Sequence, residues 1–126
     1  MQLTIDPDNG LAIYDQIVRQ VKYAVAAGVL REGELAPSVR ELAKRLTVNP
    51  NTVARAYLQL QADEVLESIR GSGLIVRKAA PARCRRERAD LIQARLRNVL
   101  LEAKQSGLAV DDVRTLVDRE LNRLEK

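Results

Sequence analysis

Residues 38–57, SVRELAKRLTVNPNTVARAY, leave the chain little freedom: they encode two short helices joined by a three-residue turn. Val39, Leu42, Ala43 and Leu46 recur at helical spacing and form the inner face of the first helix, with Ser38 placed as its N-cap. Thr47, Val48 and Asn49 make the turn. The second helix opens at Pro50, whose fixed φ suits a first helical position, and that proline pushes Asn49 into the extended region an N-cap occupies. Val53, Ala56, Tyr57 and Leu60 give this helix an apolar face and leave Asn51, Thr52, Arg55 and Gln59 on the other side.

Those outward residues are of the kinds that read nucleic acid. Asn pairs in a bidentate way with adenine, Thr contacts a base or a phosphate, and Arg serves guanine or the backbone. A helical hairpin with a merely solvated polar face fits the same periodicity equally well. The next segment separates the two readings. Residues 65–77, VLESIRGSGLIVR, hold two β-prone runs, 65–69 and 74–77, on either side of Arg70-Gly71-Ser72-Gly73. Glycines at 71 and 73 supply the backbone angles of a hairpin tip and let the backbone approach a phosphate or the minor groove closely. A hairpin directly after a recognition helix, with Arg70 at its tip and Arg77 and Lys78 at its base, is the layout of a winged helix.

With those pieces in order, residues 11–77 resemble the N-terminal domain of the GntR family of bacterial transcription regulators. The resemblance runs through LAIYDQIVRQVKYAVAAGVL, APSVRELAKRLTVNPNTVARAYLQL and RGSGLIV. The succession IYDQI, PSVRELA, VNPNTVARAY and RGSG is far more specific than a helix-turn-helix alone. It implies that Arg40 corresponds to the DNA-contacting arginine of the second helix. It likewise implies that Asn49, Asn51 and Thr52 are the polar residues opening the recognition helix, and that Gly71 is the wing-tip glycine flanked by Arg70 and Ser72, with Gly73 completing the tip. The family often carries an arginine two residues after the threonine; Ala54 stands there, and Arg55 beside it is the expected replacement. Thr47 and Glu64 occupy places where the family commonly has glycine, and Ala36 one where leucine usually precedes the proline. These three departures bear on turn geometry and packing rather than on chemistry.

Composition sets the outer limits. A chain of 126 residues makes one domain or two small ones. Asp6, Asp8, Asp15, Arg19 and Lys22 interrupt every early apolar run, and no stretch approaches a membrane span, so a cytoplasmic protein without a membrane partner is expected. One cysteine excludes an internal disulfide and any multi-cysteine zinc site, and the lack of histidine removes the usual general base and the commonest metal ligand. Neither a metal nor a cofactor is expected. An enzyme is improbable, with no cysteine–base pair, no phosphate loop and too short a chain for a closed pocket. Charge is a weaker guide: residues 1–78 hold 10 Lys+Arg against 9 Asp+Glu, and residues 79–126 hold 11 against 8. Placement says more, because Arg40, Lys44, Arg45, Arg55, Arg70, Arg77 and Lys78 all fall on the helix-turn-helix or the wing, behind an acidic front of Asp6, Asp8, Asp15, Glu32 and Glu34.

Beyond the wing, residues 79–83 with Pro81 read as a short linker into the basic cluster Arg83, Arg85, Arg86 and Arg88. That cluster is either a solvated helix start anchored by Glu87 and Asp90 or extra phosphate contact beside the operator. A long helix over about 82–106 carries the stripe Ile92, Leu96, Val99, Leu100 and Ala103 and ends at Gly107. A second, over about 110–125, carries Val113, Leu116, Val117, Leu121 and Leu124. Leu108 and Val113 are spaced as a hydrophobic staple, although Ala109 between them offers no cap oxygen. Two such helices cannot enclose a core between themselves, so they need a second copy or must fold back on their own winged helix; a dimer is the economical solution. Among GntR relatives a C-terminal region of about two helices resembles the YtrA-like subfamily. The resemblance implies a homodimer on a palindromic operator, often one controlling ABC-type transporter genes. Cys84, among four arginines, is expected to favour a thiolate, which admits a bond between two copies, although a lone cysteine more often has no such role. Tyr14 and Tyr57 read as packing residues.

The expected fold is mainly α with a small β-hairpin wing: an N-terminal winged helix-turn-helix over 1–78 and a C-terminal helical hairpin for dimerisation over 79–126. The expected function is a repressor that binds double-stranded operator DNA as a homodimer. The alternative is a winged helix used for protein interaction, for which Arg40, Asn51 and Arg70 would be dispensable. A small-molecule effector in the dimer interface, or a response only to the protein's own concentration, is left open.

Overall fold

Helix α1 (Ile13–Ala26) buries Ile17, Val18, Val21 and Val25 along one side. Against that stripe sit Leu42 and Ala43 of α2 (Val39–Leu46) and Val53, Ala56, Tyr57 and Leu60 of α3 (Pro50–Ala62), which make the three-helix core. The caps are those the sequence encodes. Ser38 Oγ accepts from the Glu41 N–H at 3.1 Å, and Asn49 Oδ1 accepts from the Asn51 N–H at 2.8 Å; each such cap is worth about 1 kcal/mol. The computed structural model describes residues 1–125; residue 126, the last of the expected C-terminal region, lies outside them.

Strands β1 (Leu66–Ile69) and β2 (Gly73–Val76) pair antiparallel, from Leu66 opposite Val76 to Ile69 opposite Gly73. Gly71 has φ +79° in the three-residue tip between them, where Ser72 N–H closes the turn on the Ile69 carbonyl at 2.9 Å. The other side of β2 is covered by residues 33–36, through Gly33 N–H to Val76 O and Ala36 N–H to Leu74 O, both 2.9 Å. The wing therefore has one edge paired, and Val65, Leu66 and Val76 bury its inner side in the same core.

Helix α4 (Ala80–Gln105) begins where a linker was expected. Ala80 and Cys84, four residues apart, are both buried in the core, and Pro81 is tolerated in a first helical turn, so 80–83 is pulled into helix by packing. The chain divides into two compact units, Met1–Arg88 and a second from Ala89 onward, which holds the rest of α4 and α5 (Val110–Leu124). Helix α5 starts at Ala109 without a side-chain cap, and Asp111 and Asp112 in its first turn favour that helix end electrostatically.

One feature has no periodic signal in the sequence. The first residues run beside α1 and are clamped by two glutamine amides: Gln20 Oε1 and Nε2 engage the N–H and carbonyl of Thr4 at 2.9 and 2.6 Å. Gln16 does the same for Asp6, at 2.9 and 2.7 Å, and also donates to the Leu11 carbonyl. Gln16 is 2 % exposed, and its complete hydrogen bonding is what makes that burial tolerable. Met1, Leu3 and Ile5 thereby pack on the core.

Two non-glycine residues have left-handed backbone, Thr47 at φ 55° and Glu64 at φ 60°, the two positions where the family commonly has glycine. A β-branched residue there is strained by about 1–2 kcal/mol. Thr47→Gly should therefore raise stability by about 0.5–1 kcal/mol, the relief less the extra unfolded-state entropy of glycine, as read by urea denaturation.

Candidate nucleic-acid interface

Helix α3 is seated with its apolar face inward, which leaves Asn51 and Arg55 exposed and Thr52 half-buried on the outer side. Asn49 is exposed at its start; its side-chain oxygen accepts the cap bond, and its amide NH2 is left to face an outside partner. Arg40 is exposed on the first turn of α2, and Arg70, Gly71, Ser72 and Gly73 are all exposed at the wing. Every residue the sequence singled out in this region is therefore accessible to some degree, on three elements of the first unit.

The cations fall into two groups. Arg45 pairs with Glu41 at 3.0 Å and Arg77 with Glu67 at 3.8 Å across the wing. Among the described residues no carboxylate pairs with Arg40, Lys44, Arg55, Arg70 or Lys78. Arg55 is held differently: its guanidinium carbon lies 3.8 Å from the centroid of the Tyr14 ring, a cation–π contact the sequence reading missed because Tyr14 is 41 positions upstream.

At the far end of α3 the ion pairs are structural. Lys22 Nζ meets Asp63 at 2.9 Å and Glu87 at 3.8 Å, so Glu87 serves α1 rather than the neighbouring arginines. Arg83 Nη1 meets Glu64 Oε2 at 3.0 Å and its other nitrogen donates to the Glu64 carbonyl, which holds that left-handed residue from both sides. Arg83 is thus removed from the basic cluster, which leaves Arg85, Arg86 and Arg88 exposed. Cys84 also departs from expectation. It is buried, and that burial pushes its thiol up, with Glu87 adding to the effect against the opposing pull of Lys22, Arg83 and Arg85. Proximity to arginines in sequence does not make it a thiolate, and an internal position does not present it to a second copy.

In the second unit no described residue is buried. Ile92, Leu96, Val99 and Leu100 of α4 and Leu116, Val117, Leu121 and Leu124 of α5 are all exposed, and Val113 is half-buried. Leu96, Leu100, Leu108, Val110, Val113 and Val117 line a groove between the two helices. No helix among the described residues is long and apolar enough to cross a membrane, and no cluster of acidic or cysteine side chains among them could hold a metal ion.

A helix-turn-helix followed by a hairpin wing, with uncompensated cations on the outer side, defines a winged-helix DNA-binding domain. Residues 13–76 match the model of the bacterial regulatory proteins, gntR family, and the chain belongs to that family of transcription regulators. It is 32 % identical over 109 residues to the HTH-type transcriptional repressor YtrA of Bacillus subtilis, covering 86 % of this chain and 84 % of that one. A GntR family transcriptional regulator from Listeria monocytogenes superposes with TM-score 0.68 at 30 % identity, over 89 % of this chain and 97 % of that one. YtrA from Sulfolobus acidocaldarius, a GntR-family transcription factor, superposes with TM-score 0.58 at 27 % identity, over 98 % and 100 %. The chain is thus a YtrA-like transcription regulator with a GntR DNA-binding domain, and not an enzyme.

Tyr57 ties the recognition helix to the segment before α2, its hydroxyl donating to the Pro37 carbonyl at 2.6 Å. Burial, aided by Glu41 and opposed by Arg45, pushes its pKa up to about 12. An unfolded tyrosine ionises near pH 10. The unfolded chain therefore loses that proton first, and stability falls as pH rises from about 10 to about 12. Tyr57→Phe should cost about 1 kcal/mol at neutral pH and flatten that alkaline decline, measured by thermal melts across the pH range.

Proposed function

We propose that the protein represses transcription in the bacterial cytoplasm, as a homodimer bound to a palindromic operator. The observation that carries the dimer is the second unit: the part of α4 from Ala89 onward and the 15-residue α5, amphipathic helices of which no described residue is buried. Apolar stripes of that length are stable in water only when covered, and self-pairing about a twofold axis covers both copies at once. A small-molecule effector would have to share the α4–α5 groove with the partner's helices. The resemblance to YtrA-like regulators is what supports a transporter operon as the target.

On each half-site, Asn51 and Thr52 address base edges from the start of α3. Arg40 and Arg55 fix the register on phosphates or reach a base, and the free amide of Asn49 supplements them. Arg70 to Gly73 lie along the backbone or in the minor groove. The support is placement: these residues are solvent-accessible on α2, α3 and the wing, and among the described residues their cations lack acidic partners. Symmetry of the protein then demands symmetry of the site, with half-sites one helical turn or a multiple apart.

The experiment is a gel shift with sizing in parallel, on DNA upstream of the protein's own gene and on duplexes selected from a random pool, at low and moderate salt. Binding should weaken steeply with salt. Asn51→Ala should cost about 1–3 kcal/mol and relax one base position, whereas Arg40→Ala, if its contact is to phosphate, should weaken all duplexes alike. Parental binding by both variants would remove these assignments and leave a winged helix used for protein contact. For the dimer, Leu121→Asp should give a monomer by light scattering and lose most operator affinity, while the melting of the winged-helix unit stays near parental; a variant that remains dimeric would refute the α5 interface.

A further inference from the structure

We propose that Tyr14 is a positioning residue of the DNA interface, its ring holding the Arg55 guanidinium in one place on the recognition helix and so selecting the base or phosphate that Arg55 addresses. The inference rests on the operator-reading function proposed above and extends the interface to α1. Arg55 is the sole cationic residue of α3. Where that one charge is held therefore matters more than in a helix with two.

Tyr14 is the second residue of α1 and is half-buried against the core, so its ring is a fixed surface. Arg55 lies over it with the guanidinium carbon 3.8 Å from the ring centroid. That is stacking contact, and it occupies the face of the guanidinium while its N–H donors, which lie at the edge, form no hydrogen bond among the described residues. Nor is there a carboxylate to compete: Asp15, next to Tyr14, is turned to Arg19 at 3.4 Å. A stacked arginine with open edges meets the planar, bidentate geometry of a guanine or a phosphate. Because its rotamers are already restricted, it loses less entropy on docking than a free arginine does.

The test is a double-variant cycle on a duplex selected by the parent protein from random DNA, with melting temperature and dimer content checked for each variant. Tyr14→Leu should weaken binding about fivefold and broaden the same base preference that Arg55→Ala broadens. Tyr14→Phe should bind like the parent, because the ring face is kept. Arg55→Lys, which keeps the charge but not the planar stack, should resemble Tyr14→Leu. Adding Tyr14→Leu to Arg55→Ala should cause no further loss, an outcome that a purely packing role for Tyr14 does not produce. Unchanged binding by Tyr14→Leu, or additive losses in the double variant, would overturn the proposal. If Arg55→Ala binds like the parent, the Tyr14 inference falls while the operator reading stands on Asn51 and Arg40. A parent that selects no sequence at all would bring down the operator reading itself, and this inference with it.

Discussion

What the outer side of the recognition helix presents depends on how its inner side is seated. Val53, Ala56, Tyr57 and Leu60 fall at i, i+3, i+4 and i+7 and pack with α1 and α2, and since each helical residue turns about 100°, burying those four fixes where 51, 52 and 55 point. Rotation alone would leave the helix free to slide. The Tyr57 hydroxyl on Pro37 near its middle and Lys22 on Asp63 at its end remove that freedom. On the proposed reading, α3 works only if its side chains arrive at the duplex already placed, and these anchors would then serve function as much as stability.

The parts of the fold that were legible in the sequence are those written in periodicity and caps. Ser38, Pro50 and the glycines at 71 and 73 mark element ends within a residue or two, and the apolar spacing of α2 and α3 marks their inner faces, whereas α1 was legible only through the family resemblance. What escaped depends on contacts between residues far apart in the chain. The glutamine clamps on Thr4 and Asp6 pair amides with backbone and leave no pattern to read. Residues 79–83 look like a linker until Ala80 and Cys84 are seen to complete the core, and this same burial reverses the expectation for the Cys84 thiol. Arg55 was legible as an outward residue, but its contact with Tyr14 was not, since nothing local connects them.

The near balance of charge over residues 1–78 has a structural explanation. Five of the nine acids there are engaged with cations: Asp63 with Lys22, Glu64 with Arg83, Glu41 with Arg45, Glu67 with Arg77, Asp15 with Arg19. The pairs at the surface are worth little in stability. Their consequence is electrostatic: apart from Arg31, the cations left without an acidic partner among the described residues are Arg40, Lys44, Arg55, Arg70 and Lys78, on the helix-turn-helix and the wing, while the acids left over, Asp6, Asp8, Glu32 and Glu34, all precede it. A domain can therefore be almost neutral in sum and still offer phosphates a positive surface.

The two left-handed residues show how such a fold accommodates departures from glycine. The left-handed turn is imposed by the path of the chain, from α2 into α3 at Thr47 and from α3 into the wing at Glu64, whichever residue sits there. At Glu64 the loss of glycine comes with a partner, because Arg83 of α4 grips both its carboxylate and its carbonyl. Glycine could offer only the carbonyl, so the glutamate ties the exit of α3 to the first turns of α4 within the same unit. Thr47 has no side-chain hydrogen bond or ion pair among the described residues, and its strain is offset by the backbone bonds that close α2, Val48 N–H to the Ala43 carbonyl at 3.1 Å among them, and by the packing of Leu46 and Val48. The two positions are alike in backbone and opposite in consequence: at one the strained residue adds a connection, at the other it adds only strain.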